Sequence, residues 1–246
     1  MILIDFSGIS IAPIASGYVG TDVNLVRHAI LNTIRMYRQK FGKQYGEIVI
    51  VADAGGSWRK DVYPEYKGKR KSNREASKID WDAAFKSIGQ VLEDIEANFP
   101  YKVIRQWGCE ADDSIAEIVK WTQEFGNWEN VMIVSADKDF RQLQKFDNVS
   151  QFSPMTKKLM KEDHPRKYLA EHILTGCSGD GVPNVLSDDD TFLVEGKRQN
   201  VLSSKKKAAL LEDPKSLGEE VYRNWQRNKK MIDLTESSVC PENVKL

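Results

Sequence analysis

Two rhythms of apolar and polar positions alternate along the first part of the chain. Four short runs are almost continuously apolar: ILID (2–5), EIVIVAD (47–53), KVIRQW (102–107) and VMIVSAD (131–137). Runs of this length and density predict strands of a parallel sheet covered on both faces. Between them, apolar residues recur at helical spacing. Residues 22–41 carry Val23, Val26, Ile30, Ile34, Tyr37 and Phe41, with Gly42 as the expected stop. Residues 80–99 carry Trp81, Ala84, Phe85, Ile88, Leu92, Ile95 and Phe99, and residues 111–125 carry Ala111, Ile115, Ile118, Val119 and Phe125. Strands alternating with helices predict an α/β domain with a central parallel sheet flanked by helices. After about residue 155 the strand-like runs stop. Short helical patterns, Lys-rich stretches and a Gly/Pro/Asp loop (176–190) follow. The expected division is an α/β domain over 1–155 and a helical region over 156–246.

Composition narrows the chemistry. Lys and Arg balance Asp and Glu at 36 each, so any attraction to nucleic acid must be local. The longest apolar runs are strand-length, which argues against a membrane span, and the MILIDFSG start lacks the pattern of a secretory peptide. Cys109, Cys177 and Cys240 are odd in number and far apart, as in a reduced intracellular protein. His28, His164 and His172 form no spaced set with them, so the sequence predicts no zinc site and leaves oxygen as the ligand for any metal.

The acids fall where strands end. Asp5 closes the first run, Asp53 the second and Asp137 the fourth, while Glu110, Asp112 and Asp113 follow the third; Asp139 lies two residues past Asp137. Carboxyl ends of parallel strands share one edge, where ligands bind. Acids from four chain segments therefore converge on one cleft. Crowded carboxylates stay ionised only beside cations. A hard ion suits an all-oxygen donor set: Mg²⁺, with Mn²⁺ as the alternative, and two ions for a phosphodiester. Directly after Asp53, WRKDVYPEYKGKRK (58–71) mixes Trp58, Tyr63 and Tyr66 with Arg59, Lys60, Lys67, Lys69, Arg70 and Lys71. Rings that stack on bases, interleaved with cations for phosphates, form a candidate nucleic-acid surface. Lys205, Lys206 and Lys207, after Ser203 and Ser204, offer a second one at a helix start.

These motifs carry a resemblance. Asp5 after ILI, Asp53 in VIVADAG, YPEYKGKR (63–70), EADD (110–113), SADKDF (135–140) and the Gly179–Asp180 pair, in this order, resemble the flap endonuclease and 5′-3′ exonuclease family. LVRHAILNTI (25–34), FSPM (152–155) and VEG (194–196) look like its phage ribonuclease H subgroup. The resemblance implies a PIN-like 5′ nuclease fold with a helical arch over about 55–80 and a C-terminal helical DNA-binding region. It implies two-metal hydrolysis at 5′ ends and flaps of RNA·DNA and DNA·DNA duplexes, removal of RNA primers in lagging-strand replication, a monomer in the cytoplasm of an infected bacterium, and a single-strand binding protein or sliding clamp as partner. By motif, Asp5, Asp53, Glu110, Asp112 and Asp137 make a tight metal site; Asp113, Asp139 and Asp180 belong to a looser second one. Lys67 and Arg70 match cations that contact the scissile phosphate, supported by Arg59 and Tyr66.

The chain departs from the family at GDGVPNV (179–185), where Pro183 stands in place of a second Asp. A weakened second site is expected, with Asp188, Asp189 and Asp190 as the nearest substitutes. The short tail after MIDLTESSVCPENV implies a chain shorter than phage relatives. The sequence also admits two other readings: a PIN-type ribonuclease cutting single-stranded RNA, and a non-catalytic nucleic-acid binding relative.

Overall fold

The computed structural model describes residues 1–234; Cys240 and the tail lie outside the described residues. Six strands form one sheet: β1 (Ile2–Asp5), β2 (Ile48–Val51), β3 (Lys102–Ile104), β4 (Val131–Val134), β5 (Val149–Ser153) and β6 (Lys158–Met160). Their order is β3-β2-β1-β4-β5-β6, parallel throughout except for β6, which runs antiparallel to β5.

Alternation of side chains across the pleat sorts the core into two layers. On one face, Ile2, Ile4, Ile48, Ile50, Met132 and Val134 pack against α1 (Phe6–Ala15), α2 (Val23–Tyr45) and α5 (Trp81–Asn98). On the other, Leu3, Val51, Val131 and Ile133 meet Ile115 and Val119 of α6 (Ala111–Glu124), with Phe140 and Leu143 from the 3₁₀ turn Asp139–Lys145. The four predicted strands and three predicted helices are present, with shorter strands. Helix α2 runs through Gly42 and ends at Gly46, whose φ of 84° supplies the left-handed stop.

Strands β5 and β6 escaped the pattern, and β6 lies beyond residue 155, where strand runs were expected to stop. VSQFS buries Gln151 instead of an apolar residue, because the Gln151 amide donates to the carbonyls of Ser135 and Asp137 at 3.0 and 2.5 Å. β6 is a three-residue edge strand with Leu159 exposed.

The segment between β2 and β3 holds two short helices, α3 (Trp58–Val62) and α4 (Lys69–Glu75), before α5. The later part comprises α7 (Pro165–Thr175), α8 (Ser204–Glu212) and α9 (Glu219–Ile232). A third apolar cluster, containing Trp58, Tyr63, Tyr66, Ile173, Val182 and Met231, fastens the start of the α3–α4 segment to α7 and α9. Among the described residues no helix is long and apolar enough to cross a membrane.

Candidate metal-dependent nuclease site

Each acid is set by its strand and by the helix that follows. Asp5 ends β1 and caps α1, accepting from the Gly8 N–H at 3.2 Å and from the Ser135 hydroxyl at 2.8 Å. Asp53, just past β2, accepts from the Ser7 hydroxyl at 3.1 Å and from the Ala111 N–H, at the start of α6, at 2.8 Å. Asp112 lies in the first turn of α6. Asp137 follows β4 and accepts from the Asp139 N–H at 2.8 Å. Parallel topology places all four at one sheet edge, as the strand-end pattern predicts.

Burial and like charge act together on these carboxyls. Burial raises the Asp112 carboxyl well above the usual range, and the charges of Asp137 and Asp5 add to it. Asp137 is pushed up to about 6 by burial, then by Asp139, Asp180 and Asp5. Asp5 is raised by burial, with Asp53 contributing. These oxygens lie close enough to oppose one another's ionisation. An all-carboxylate set of this kind fits a hard divalent cation, which removes the conflict by binding.

Glu110 behaves differently. Burial raises its pKa, but Lys67 and Arg59 outweigh that and hold it below the usual range. It accepts from Lys67 Nζ at 2.7 Å, Tyr66 Oη at 2.7 Å and Arg59 Nη1 at 3.2 Å. Lys67 also lies 3.7 Å from Asp180, whose carboxylate accepts from Arg70 at 2.8 Å. The Lys67 backbone has φ 55°, uncommon for a non-glycine residue, and its N–H donates to the Asp180 carbonyl at 2.7 Å. Lys67 and Arg70 thus sit directly against the acidic cleft.

Several expected residues lie elsewhere. Asp113, expected in the looser metal site, is buried and faces protein donors: Arg59 at 2.8 and 2.7 Å, Trp58 Nε1 at 3.1 Å and the Glu110 N–H at 3.1 Å, the last being half of a capping box. Arg59 and Tyr66, expected to touch nucleic acid, are 2% and 3% exposed and hold the acids from beneath. Lys69 and Lys71 are exposed on α4. Lys205 and Lys206 are exposed on α8, which packs on α7, and Lys207 pairs with Glu171 at 2.6 Å.

At the second position, Pro183 presents a carbonyl that accepts from Asn228 at 2.9 Å. The acids the sequence offers as substitutes are engaged elsewhere. Lys197 holds Asp188 and Asp190 at 2.7 and 2.5 Å, and Asp189 pairs with Arg227 and Arg223. Asp139 meets His172 Nε2 at 2.7 Å, and Cys177 Sγ joins them, all three ligand atoms lying within 4.8 Å of one another. The sequence shows no spaced set of histidines and cysteines, yet the fold brings His172 and Cys177 together: α7 ends at Thr175 and the turn into Cys177 reaches Asp139. Trp107 is another residue the motifs did not single out. It is 72% exposed and its ring crosses Gly55, two residues past Asp53. The sequence places Trp107 at the end of the third apolar run, where nothing sets it apart from a buried strand residue.

A model of the 5′-3′ exonuclease N-terminal resolvase-like domain matches residues 11–171. The chain belongs to the 5′-3′ exonuclease family. It is 33% identical to ribonuclease H of Enterobacteria phage T4 over 98% of this chain and 82% of that one. A 5′-3′ exonuclease of Mycoplasmopsis pulmonis is 36% identical over 37% of this chain and 27% of its own length. Among solved structures, T5 5′-exonuclease with bound divalent zinc ions superposes with a TM-score of 0.70 at 20% identity, covering 96% of this chain and 89% of that one. A T5 D15 flap endonuclease variant, solved with DNA and metal ions, gives a TM-score of 0.71 at 18% identity, covering 99% and 94%. These likenesses fix the fold as the resolvase-like, PIN-type architecture that the motifs imply.

Proposed function

We propose that this family member is a Mg²⁺-dependent 5′-3′ nuclease, with exonuclease, flap endonuclease and ribonuclease H activity on the 5′ ends of DNA·DNA and RNA·DNA duplexes. Its role is removal of RNA primers during phage replication inside the host cell. The observation that carries this reading is the convergence of Asp5, Asp53, Asp112 and Asp137 at one sheet edge, next to Lys67 and Arg70, which pair with the neighbouring Glu110 and Asp180. A carboxylate cluster beside cations gives both a metal seat and a phosphate seat.

Asp5, Asp53, Asp112 and Asp137 would hold the tighter Mg²⁺, with Glu110 at their margin. Asp139 and Asp180 line the second position. Bound there, divalent cations supply a water of lowered pKa and offset charge on the phosphate. The protein's own groups do the rest. Lys67 and Arg70 exchange their carboxylate partners for the scissile phosphate and draw it into the cleft. The burial of Lys67 lowers its pKa, but Asp180 and Glu110 more than compensate, so it stays charged throughout. Arg59, Tyr66 and Asp113 hold Glu110 and the start of α6 in place. Lys69 and Lys71 track the backbone of the incoming strand on the arch segment, and Trp107 stacks on an unpaired base. Lys205, Lys206 and Lys207 on the helical region grip the duplex beyond. No side-chain nucleophile is required.

The test is cleavage of a 5′-labelled RNA–DNA strand annealed to DNA, with Mg²⁺ and with EDTA. Mg²⁺-dependent release of short 5′ products supports the reading. Cleavage of single-stranded RNA alone would favour a PIN-type ribonuclease, and binding without cleavage a non-catalytic relative.

A further inference from the structure

The second cation position has lost a carboxylate to Pro183, and the loop that lost it presents a thiol. Gly176 has φ 72°, and a Cβ there would fall 2.4 Å from the Val182 carbonyl oxygen and 2.5 Å from that of Pro183. Only glycine lets the chain pass so close. This tight crossing, closed by the Cys177–Val182 bridge, carries Cys177 to Asp139. His172 arrives from the last turn of α7, one turn earlier, its ring stacked on Tyr168 with centroids 5.5 Å apart.

We propose that Asp139, His172 and Cys177 form a binding site for a borderline-soft transition ion, Zn²⁺ in the first instance, in place of the all-carboxylate second site of the family pattern. One carboxylate oxygen, one imidazole nitrogen and one thiolate sulfur are a zinc-type donor set, and three protein ligands leave one position of a tetrahedral ion open. A tetrahedral ion with bonds of about 2.0–2.3 Å spaces its ligand atoms about 3.3–3.8 Å apart, so the Asp139–His172 pair, now 2.7 Å apart, opens slightly while Cys177 Sγ stays within reach. One carboxylate and one thiolate neutralise the ion's charge.

Asp139, Asp180 and Asp137 surround the thiol with negative charge, which favours a bound cation. Metal binding forms the S–metal bond and releases the S–H proton to solvent. His172 now faces Asp139 through Nε2; as a ligand through that atom it carries its proton on Nδ1. The site shares Asp139 with the second position and takes its place, so the tighter position of Asp5, Asp53, Asp112 and Asp137 stays open to Mg²⁺.

The experiment is Co²⁺ titration of the full chain, free of DNA, in excess Mg²⁺ so that the acidic cleft is occupied. Thiolate-to-cobalt charge transfer and the intense visible bands of a tetrahedral ion report the site. The expected result is one equivalent of Co²⁺ producing both, full displacement by Zn²⁺, loss of the charge-transfer band in Cys177→Ser, and at least tenfold weaker binding in His172→Gln. Absence of the band in the wild-type chain overturns the site, as does its survival in Cys177→Ser, which would trace it to Cys109 or Cys240. Should Cys177→Ser fail to fold, the wild-type band and the His172→Gln titration decide. The absorption readout separates this inference from the nuclease reading: a missing band removes the site and leaves Mg²⁺-dependent cleavage standing, while missing cleavage does the reverse.

Discussion

Arg59 grips Asp113 through two nearly parallel hydrogen bonds, at 2.8 and 2.7 Å, with side chains only 3% and 2% exposed. The Arg59 Nε also donates to the Met231 carbonyl at 3.0 Å, so a single guanidinium ties α3 to α6 and to α9. Removing one partner leaves an unpaired buried charge. Arg59→Ala or Asp113→Ala is expected to destabilise the fold by about 3–5 kcal/mol. Arg59→Lys is expected to recover little, since an ammonium cannot reproduce the fork. Denaturant melts check this. A merely metal-ligating Asp113 would instead show near wild-type stability in EDTA.

The crowded acids predict a trade between stability and activity. Asp112→Asn removes a carboxylate that Asp137 and Asp5 oppose, so it should raise the melting temperature in EDTA. The same change should cut Mg²⁺-supported cleavage by about 10³-fold, equivalent to the several kcal/mol a metal ligand set supplies. Thermal melts and single-turnover rates on one preparation test both halves.

The stability of the chelated protein should depend on pH with a definite sign. Asp137 is raised to about 6 and Asp5 and Asp112 are raised as well, so the native state binds more protons than the unfolded chain above the ordinary carboxylate range near 4. Stability in EDTA should therefore fall as pH rises through about 6. Mg²⁺ should restore it, with the largest gain in melting temperature above that pH. Melts across the range, with and without Mg²⁺, provide the check; a rise in EDTA-state stability across this window would contradict the crowding.

Trp107 is expected to stack on an unpaired base beside Asp53. Trp107→Ala should weaken binding of a single-stranded 5′ flap by about 1–3 kcal/mol, with little loss for a blunt duplex. Fluorescence anisotropy in Ca²⁺, with the two substrates side by side, distinguishes stacking from a general loss of fold.

Much of the scaffold was readable because burial on both faces leaves β1, β2 and β4 almost purely apolar, and α2, α5 and α6 keep a helical period. Strand β5 was not readable, because Gln151 satisfies two carbonyls from the β4 side and so occupies a core position as a polar residue. The meeting of Asp5, Asp53, Asp112 and Asp137 followed from strand topology, which sequence pattern predicts well. The role of Asp113 did not, since it depends on Arg59, a partner 54 residues away approaching from beneath the helix. Nor did the Asp139–His172–Cys177 grouping, which arises only when α7 packs on the 3₁₀ turn after β4.

Pro183→Asp should partly restore the family pattern. It adds a side-chain carboxylate to the loop and keeps the backbone carbonyl that accepts from Asn228. Mg²⁺ titration by calorimetry should show tighter binding of a second ion in this variant, and unchanged binding would argue against Pro183 as the cause of a weakened position.

The most direct test of the acidic cleft as a 5′ nuclease centre is a product analysis on a 5′-labelled flap duplex. It compares wild type with Asp53→Asn, in Mg²⁺ and in EDTA, with substrate affinity measured in parallel. Wild type is expected to give short 5′-labelled products in Mg²⁺ alone, and Asp53→Asn none despite retained binding. Equal cleavage by the variant, or cleavage that survives EDTA, would contradict it.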